Sequence, residues 1–372
     1  MTNYSIFKGV DFSIPIVRPD DDILFFQRSL FEKYFTNLDK FTGRLKLEIN
    51  EKQNEIRLLS NAILNTLDTY LNGDTIEAYR ILEKALNQVK KYLLIKDGIT
   101  DLESIQRPEE FYKARIGKGI LFQRNEMFHI PFEKRYLVTS QRYSLPGIPC
   151  LYLSNSTYLC WEELGKPDFD TLQFSRFDLS KEKLRFLNLN HTNDAISFFG
   201  FNKDGDLDQM AEFFIFQYLL TWPLQASVSI KVKYPENPFK PEYIIPQLLL
   251  QWVVNSKDLD GIRFFSTKSS GTTPILHLGN MSNLVIPIKK SNSKGLCEIL
   301  KKKIRLTNPL SYEYASLMIP QFTSEKFDKK EIELSMKPFT LKLHEDHTVL
   351  YSNTKFGQIE RILNQSEAKL LE

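Results

Sequence analysis

Cysteine is scarce: Cys150, Cys160 and Cys297 are the three in 372 residues. An odd number at irregular spacing offers neither a disulfide framework nor a zinc site. Charge of one sign is also scarce. A net charge of +3 at this length leaves no basic face of the kind nucleic acid requires, so no nucleic-acid partner is expected. Long apolar runs are missing. The stretch from Phe213 to Trp222 is among the longest and falls far short of a membrane span, so no membrane partner is expected. Met1 to Val10 lacks the charged, apolar and small-residue sections of a secretory signal, and the expected location is cytoplasmic. There is no GxGxxG, no Walker loop and no Gly-x-Ser-x-Gly elbow. No metal is expected either. His344 and His347 have no third ligand nearby. Asn202 to Asp208 fails as a calcium loop, because the sixth position, which needs Gly, is Leu207 counted from Asn202 and Gln209 counted from Asp204.

What is present reads as an α+β protein. Hydrophobic residues at 42% and charged residues at 26% describe a globular chain, and its length calls for two or three domains. Residues 1–105 read as helical. Asp20, Asp21 and Asp22 offer N-caps to a helix reaching about Asn37. Ile56, Leu59, Ile63, Leu67 and Tyr70 form one buried stripe, and Asn72-Gly73 ends it. Asp74 and Glu77 resemble a capping box for a third helix, whose stripe is Tyr79, Leu82, Leu86, Val89 and Leu93. No chemistry is visible there.

From Pro108 the texture changes. Tyr112–Ile116, Tyr136–Thr139, Cys150–Leu153, Leu172–Leu179 and Arg185–Leu189 read as strands. Asp206–Trp222 reads as a buried helix. Leu224, Ala226, Val228, Ile230 and Val232 alternate with polar residues and predict a half-buried strand. Tyr243–Val254 reads as a buried helix, and Gly261–Ser266 and Asn283–Ile288 as short strands. Without a regular βαβ rhythm, α+β is favoured over a doubly wound sheet. The second domain is placed at 106–290, and 291–372 is a C-terminal α/β extension packing on the core. The run from Lys289 to Arg305 reads as a solvated basic loop and helix face. Ile332, Leu334 and Met336 alternate, as do Phe339, Leu341 and Leu343, and Phe356–Leu371 predicts a closing helix.

One stretch, Phe111 to Leu164, concentrates chemistry. It holds Arg115, Arg124, Arg135 and Arg142, several aromatics, a Pro-Gly turn and the pair Glu162-Glu163. A core has no use for so many guanidiniums beside aromatic rings, whereas a pocket for a phosphorylated, ring-bearing ligand does. Two arginines for phosphates, aromatics for a flat ring and a carboxylate for ribose hydroxyls would together hold a dinucleotide. An ordinary salt-bridged core uses the same residue types.

The same residues resemble the RES-domain family, named for an arginine, a glutamate and a serine. Its pattern has an arginine in an early strand, an Arg-aromatic pair before a Gly turn and a Leu-Tyr-Leu strand. A helix ending in Glu about eleven residues after that Tyr follows, then an Asp-Gly-Ile strand closing on Ser, and an Asn. Here these are Arg115 in FYKARIG, Arg142-Tyr143 in QRYSLPG, Tyr152 in CLYLSNS, Glu163 in YLCWEEL, Ser266 in LDGIRFFSTK and Asn283 in SNLVIP. The match spans roughly 107 to 290. Tyr143 stands where smaller toxin-type members often carry Trp, this chain is much longer than they are, and Glu162 beside Glu163 leaves the glutamate ambiguous by one position.

The resemblance implies an ADP-ribosyltransferase-like mixed β core with flanking helices. It implies a toxin or defence effector that consumes NAD, breaking the nicotinamide–ribose bond with inorganic phosphate (a phosphorylase) or water (a glycohydrolase) as acceptor. Arg115, Glu163 and Ser266 become the implied catalytic residues; Arg142, Tyr143, Tyr152 and Asn283 become the implied NAD contacts. An antitoxin or regulatory protein, or a second copy docking through the N-terminal helices, is the implied partner. Two other readings stand beside it. One transfers ADP-ribose to a macromolecule; the other is a non-catalytic nucleotide-binding or partner-docking module.

Overall fold

The computed structural model describes residues 13–93, 95–97, 110–117, 121–180, 183–190, 209–268, 281–322, 340–344 and 347–372, with Asn3, Ile6 and Gly119. Its helices, in chain order, are α1 (Ile23–Leu38), α2 (Gly43–Glu51), α3 (Gln53–Leu71), α4 (Thr75–Val89), α5 (Thr157–Glu163), α6 (Gln209–Val228), α7 (Ile244–Asn255), α8 (Glu298–Lys303), α9 (Tyr312–Phe322) and α10 (Lys355–Gln365). Its strands are β1 (Ile95–Asp97), β2 (Phe111–Ile116), β3 (Cys150–Ser154), β4 (Leu172–Asp178), β5 (Arg185–Leu189), β6 (Gly261–Phe265), β7 (Ser282–Pro287), β8 (Arg305–Leu306), β9 (Leu310–Ser311), β10 (Thr340–His344) and β11 (His347–Leu350). The architecture is α+β with helices leading. The chain divides into two compact units, each assembled from three separated stretches.

The first unit comprises Met1–Lys96, Thr139–Pro146 and Phe186–Thr267. Its N-terminal helices follow from local rules. Asp22 Oδ1 accepts the free N–H groups of Leu24 and Phe25 at 2.8 and 3.0 Å, and Asp74 Oδ1 accepts that of Glu77 at 2.9 Å. Between α3 and α4 the chain turns at Gly73, whose φ of +95° suits glycine. Ile56, Leu59, Ile63 and Leu67 are buried, as are Leu82, Leu86, Val89 and Leu93. The helix α6 is buried from Ile215 onward; Tyr34 stacks on its Trp222 at 4.5 Å and donates to the Leu219 carbonyl. Arg18 and Glu242, almost fully buried, pair at 2.8 Å. The strands β5 and β6 run parallel.

The predicted strand over 224–232 is corrected here. Helix α6 runs through Pro223 to Val228, and Ile230 follows as an isolated bridge to Ile16. The intervening Gln225, Ser227 and Ser229 are as buried as the apolar residues, so the alternation did not mark an inner and an outer face. In a fully buried segment a helix satisfies its backbone internally, and Ser227 Oγ donates back to the Pro223 carbonyl at 2.7 Å.

The second unit comprises Asp97–Val138, Gly147–Arg185 and Lys268–Glu372. Its sheet runs β7–β3–β2–β4–β8, antiparallel throughout, with β9 also on β4. Tyr112 and Ala114 of β2, Leu172 and Phe174 of β4, Cys160 of α5, and Ile359, Ile362 and Leu363 of α10 pack into one core cluster. Over Tyr136–Thr139, expected as a strand, Tyr136 and Leu137 instead close a 3-10 segment, Phe132–Leu137, and no strand follows at 138–139. Tyr136 and Leu137 are exposed, and their strand-forming side chains have no sheet face to cover. The closing helix ends at Gln365 rather than Leu371. The alternation at Ile332, Leu334 and Met336, Phe339, and the Asn202–Asp208 turn lie outside the described residues.

Candidate functional site

In the second unit, α5 delivers the glutamates. Ser156 caps it, its hydroxyl accepting from the Leu159 N–H at 3.1 Å, and Glu163 is its last residue. A carboxylate there sits at the negative end of the helix, so helix stability does not explain it. Glu163 is held instead by other groups. Asn283 Nδ2 donates to its Oε1 at 2.6 Å, and Ser154 Oγ donates to Asn283 Oδ1 at 2.7 Å. Lys268 Nζ donates to the Glu163 carbonyl at 2.7 Å and lies 3.5 Å from Oε2. The Glu163 side chain keeps 28% of its exposure. Glu162 is different. Its side chain is 1% exposed, and Oε1 accepts from the Tyr158 hydroxyl at 2.7 Å. Of the two, Glu163 has the geometry to meet a ligand.

Strand register sets which faces these groups occupy. Ser154 pairs with Asn283 and with Tyr112, so Tyr112, Tyr152, Ser154 and Asn283 share a face. Burial holds the Tyr152 phenol protonated well above its ordinary range. Arg115 is three residues along β2 from Tyr112 and therefore points to the opposite face, opposite Gln173. There it is exposed, lies 4.5 Å over the Phe122 ring, and NH1 donates to the Glu126 carbonyl. The structure thus joins Glu163 to Asn283 but does not bring Arg115 to them. The resemblance implied these residues as partners; the period-two alternation of the strand sets Arg115 on the other face.

Arg115's face holds two further titratable groups, Lys113 and His129. Lys113 Nζ donates to the Phe128 carbonyl at 2.5 Å; burial, helped by the charge of Arg115, pulls its ammonium down to about 7. His129 accepts the Cys297 N–H on Nε2 at 2.8 Å. Nδ1 therefore carries the proton and donates to the Ile130 carbonyl at 2.8 Å. Burial lowers this imidazole from 6.5 to about 4. Its neutral form is favoured by folding, so its contribution is complete above pH 6.5 and is lost as pH falls toward 4. The gap corresponds to about 3 kcal/mol. Urea titrations at pH 7 and pH 4 are expected to show wild type losing that much more stability than His129→Gln.

Arg142, Tyr143 and Ser266 belong to the first unit. Arg142, buried, donates to the Val228 and Ile230 carbonyls at 2.9 and 2.7 Å and to Thr267 Oγ1 at 2.9 Å. Tyr143 packs on Phe264 at 4.4 Å, and burial raises its phenol far above the ordinary value. Ser266 follows β6 and is fully buried. A cavity of about 680 Å³ in the second unit, lined by Trp161, Phe169, Leu341 and Phe356 among others, contains none of the implied residues. Lys355, Asn353 and Thr354 also line it, and none of the residues implied for NAD does. Among the described residues no cluster of metal-ligating side chains occurs, and no helix is long and apolar enough to cross a membrane. All three cysteines are buried and free.

Lys268 was not singled out in the sequence. A lysine just past a strand is ordinary, and its contact with Glu163 exists only once residues 105 apart have met. No family model matches the chain, and no solved structure matches it. A protein described as "Putative toxin YopC", from Bacillus subtilis strain 168, is 31% identical over 357 residues, covering 94% of this chain and 78% of that protein.

Proposed function

Because the chain belongs to the family of "Putative toxin YopC", we propose that it is a toxin-like enzyme that cleaves the nicotinamide–ribose bond of NAD, with phosphate or water as acceptor. The observation that carries this reading is the 2.6 Å hydrogen bond between Asn283 and Glu163. Both residues were implied by the resemblance to the RES family, and they meet across 120 residues of chain.

The chemistry asks for little else. Breaking this bond develops positive charge on the ribose, as in glycoside cleavage. Glu163, partly exposed, faces that charge with one carboxylate oxygen while Asn283 holds the other in place. Lys268, 49% exposed, adds a positive charge beside the same carboxylate, of the sign that a pyrophosphate requires. Tyr152 lies on the same sheet face. Nicotinamide departs neutral, so no strong general acid is required, and a buried neutral His129 is no obstacle.

The test is direct. Purified full-length protein is incubated with NAD, with and without inorganic phosphate, and the products are identified by mass. Nicotinamide together with ADP-ribose carrying one added phosphate indicates phosphorolysis; free ADP-ribose indicates hydrolysis. NAD left intact at micromolar protein in both conditions overturns the proposal.

A further inference from the structure

We propose that Glu360, on α10, is a positioning residue for Glu163, acting through the first residue of α5. This rests on the reading of Glu163 as the catalytic carboxylate. Glu360 Oε1 accepts from the Thr157 N–H at 2.6 Å, from Thr157 Oγ1 at 3.0 Å and from the Tyr351 hydroxyl at 2.6 Å. Thr157 opens α5, so its N–H is one of the donors a helix cannot satisfy internally, and an anion is favoured there. With seven residues, α5 is too short to hold itself together. Its two ends are about 9 Å apart, so whatever fixes Thr157 fixes Glu163.

The support beneath Glu360 is rigid. Tyr351 sits in a 3-10 turn, Tyr351–Asn353, and α10 lies hard against it. A Cβ on Gly357 would come 2.3 Å from the Tyr351 carbonyl and 2.7 Å from the Ser352 Cα, an approach that only glycine permits. Glu360 follows three residues later. On its inner side α10 buries Ile359, Ile362 and Leu363. At its far end Arg176 donates to the Leu363 and Ser366 carbonyls, both at 2.9 Å. Burial raises the Glu360 acid to about 7 in spite of its three donors, and the nearby Glu110 adds to the rise. Such a site is costly for a carboxylate whose only service is stability.

The experiment uses full-length Glu360→Ala and Glu360→Gln. Glu360→Ala is expected to lower kcat for nicotinamide release about a hundredfold with KM within about twofold, since binding contacts stay in place. Glu360→Gln keeps an accepting oxygen for Thr157 and is expected to stay within about threefold of wild type. Amide hydrogen exchange in a peptide covering 157–164 is expected to quicken in Glu360→Ala and not in Glu360→Gln, with α3 unchanged in both. A folded Glu360→Ala with wild-type kcat and exchange overturns the inference, as does an equal loss in both variants. If Glu360→Ala does not fold, Tyr351→Phe takes its place, with kcat down about fivefold and faster exchange expected; no change in either overturns it. If wild type leaves NAD intact, the proposed function fails, and exchange alone decides this inference: an α5 unchanged in Glu360→Ala ends it.

Discussion

Glu163→Gln is expected to reduce nicotinamide release from NAD by about a thousandfold while the protein stays folded. Gln preserves the volume and still offers Asn283 an oxygen, so the hydrogen bond at 2.6 Å can persist. What goes is the negative charge beside the ribose, and charge stabilisation in a site of this kind is worth about a hundredfold to a thousandfold. The lost ion pair with Lys268 should cost little stability, because that lysine is 49% exposed. Glu162→Gln is the matched control. Its side chain is 1% exposed and bonded to Tyr158, so any effect should fall on the urea midpoint and not on kcat. Steady-state assays of the two variants decide between neighbours that counting along the sequence could not separate. Activity within threefold of wild type in Glu163→Gln would remove Glu163 from the chemistry.

That ambiguity shows where sequence reasoning reached its limit. The N-terminal helices were legible because a 3.6-residue stripe and an aspartate cap are local signals; Ile56 through Leu67 and Asp22 behave as their spacing dictates. The strand at 224–232 was misread because polarity alternated where burial did not. For the candidate site, the resemblance implied Glu163 and Asn283, and the fold joins them. Facing is another matter. Whether Arg115 points toward Asn283 depends on the register of β2 against β3 and of β3 against β7, and a single residue of slip reverses the answer. Nothing local in FYKARIG encodes that register. Lys268 and Glu360 were invisible for a related reason: each gains its role from a partner more than a hundred residues away.

Arg142 makes the second large prediction, and here the two uses of a guanidinium compete. The resemblance implies that it grips phosphate. In the structure it donates to Val228, the last residue of α6, whose carbonyl is left without a partner by the helix end, and to Ile230, which bridges to Ile16. Its Cζ lies 5.2 Å from the centroid of the Tyr243 ring. Arg142→Ala strands two buried carbonyls and Thr267 Oγ1, and hydrogen bonds to a charged group each contribute about 1.5–3 kcal/mol. A loss of about 3–4 kcal/mol in urea unfolding is expected. Arg142→Lys should recover little of it, because one ammonium cannot reproduce the fork that reaches both carbonyls. The outcome separates the roles. A lowered urea midpoint with the KM for NAD unchanged in the folded fraction makes Arg142 the cap of α6. An unchanged midpoint with a KM raised tenfold or more would return it to the ligand.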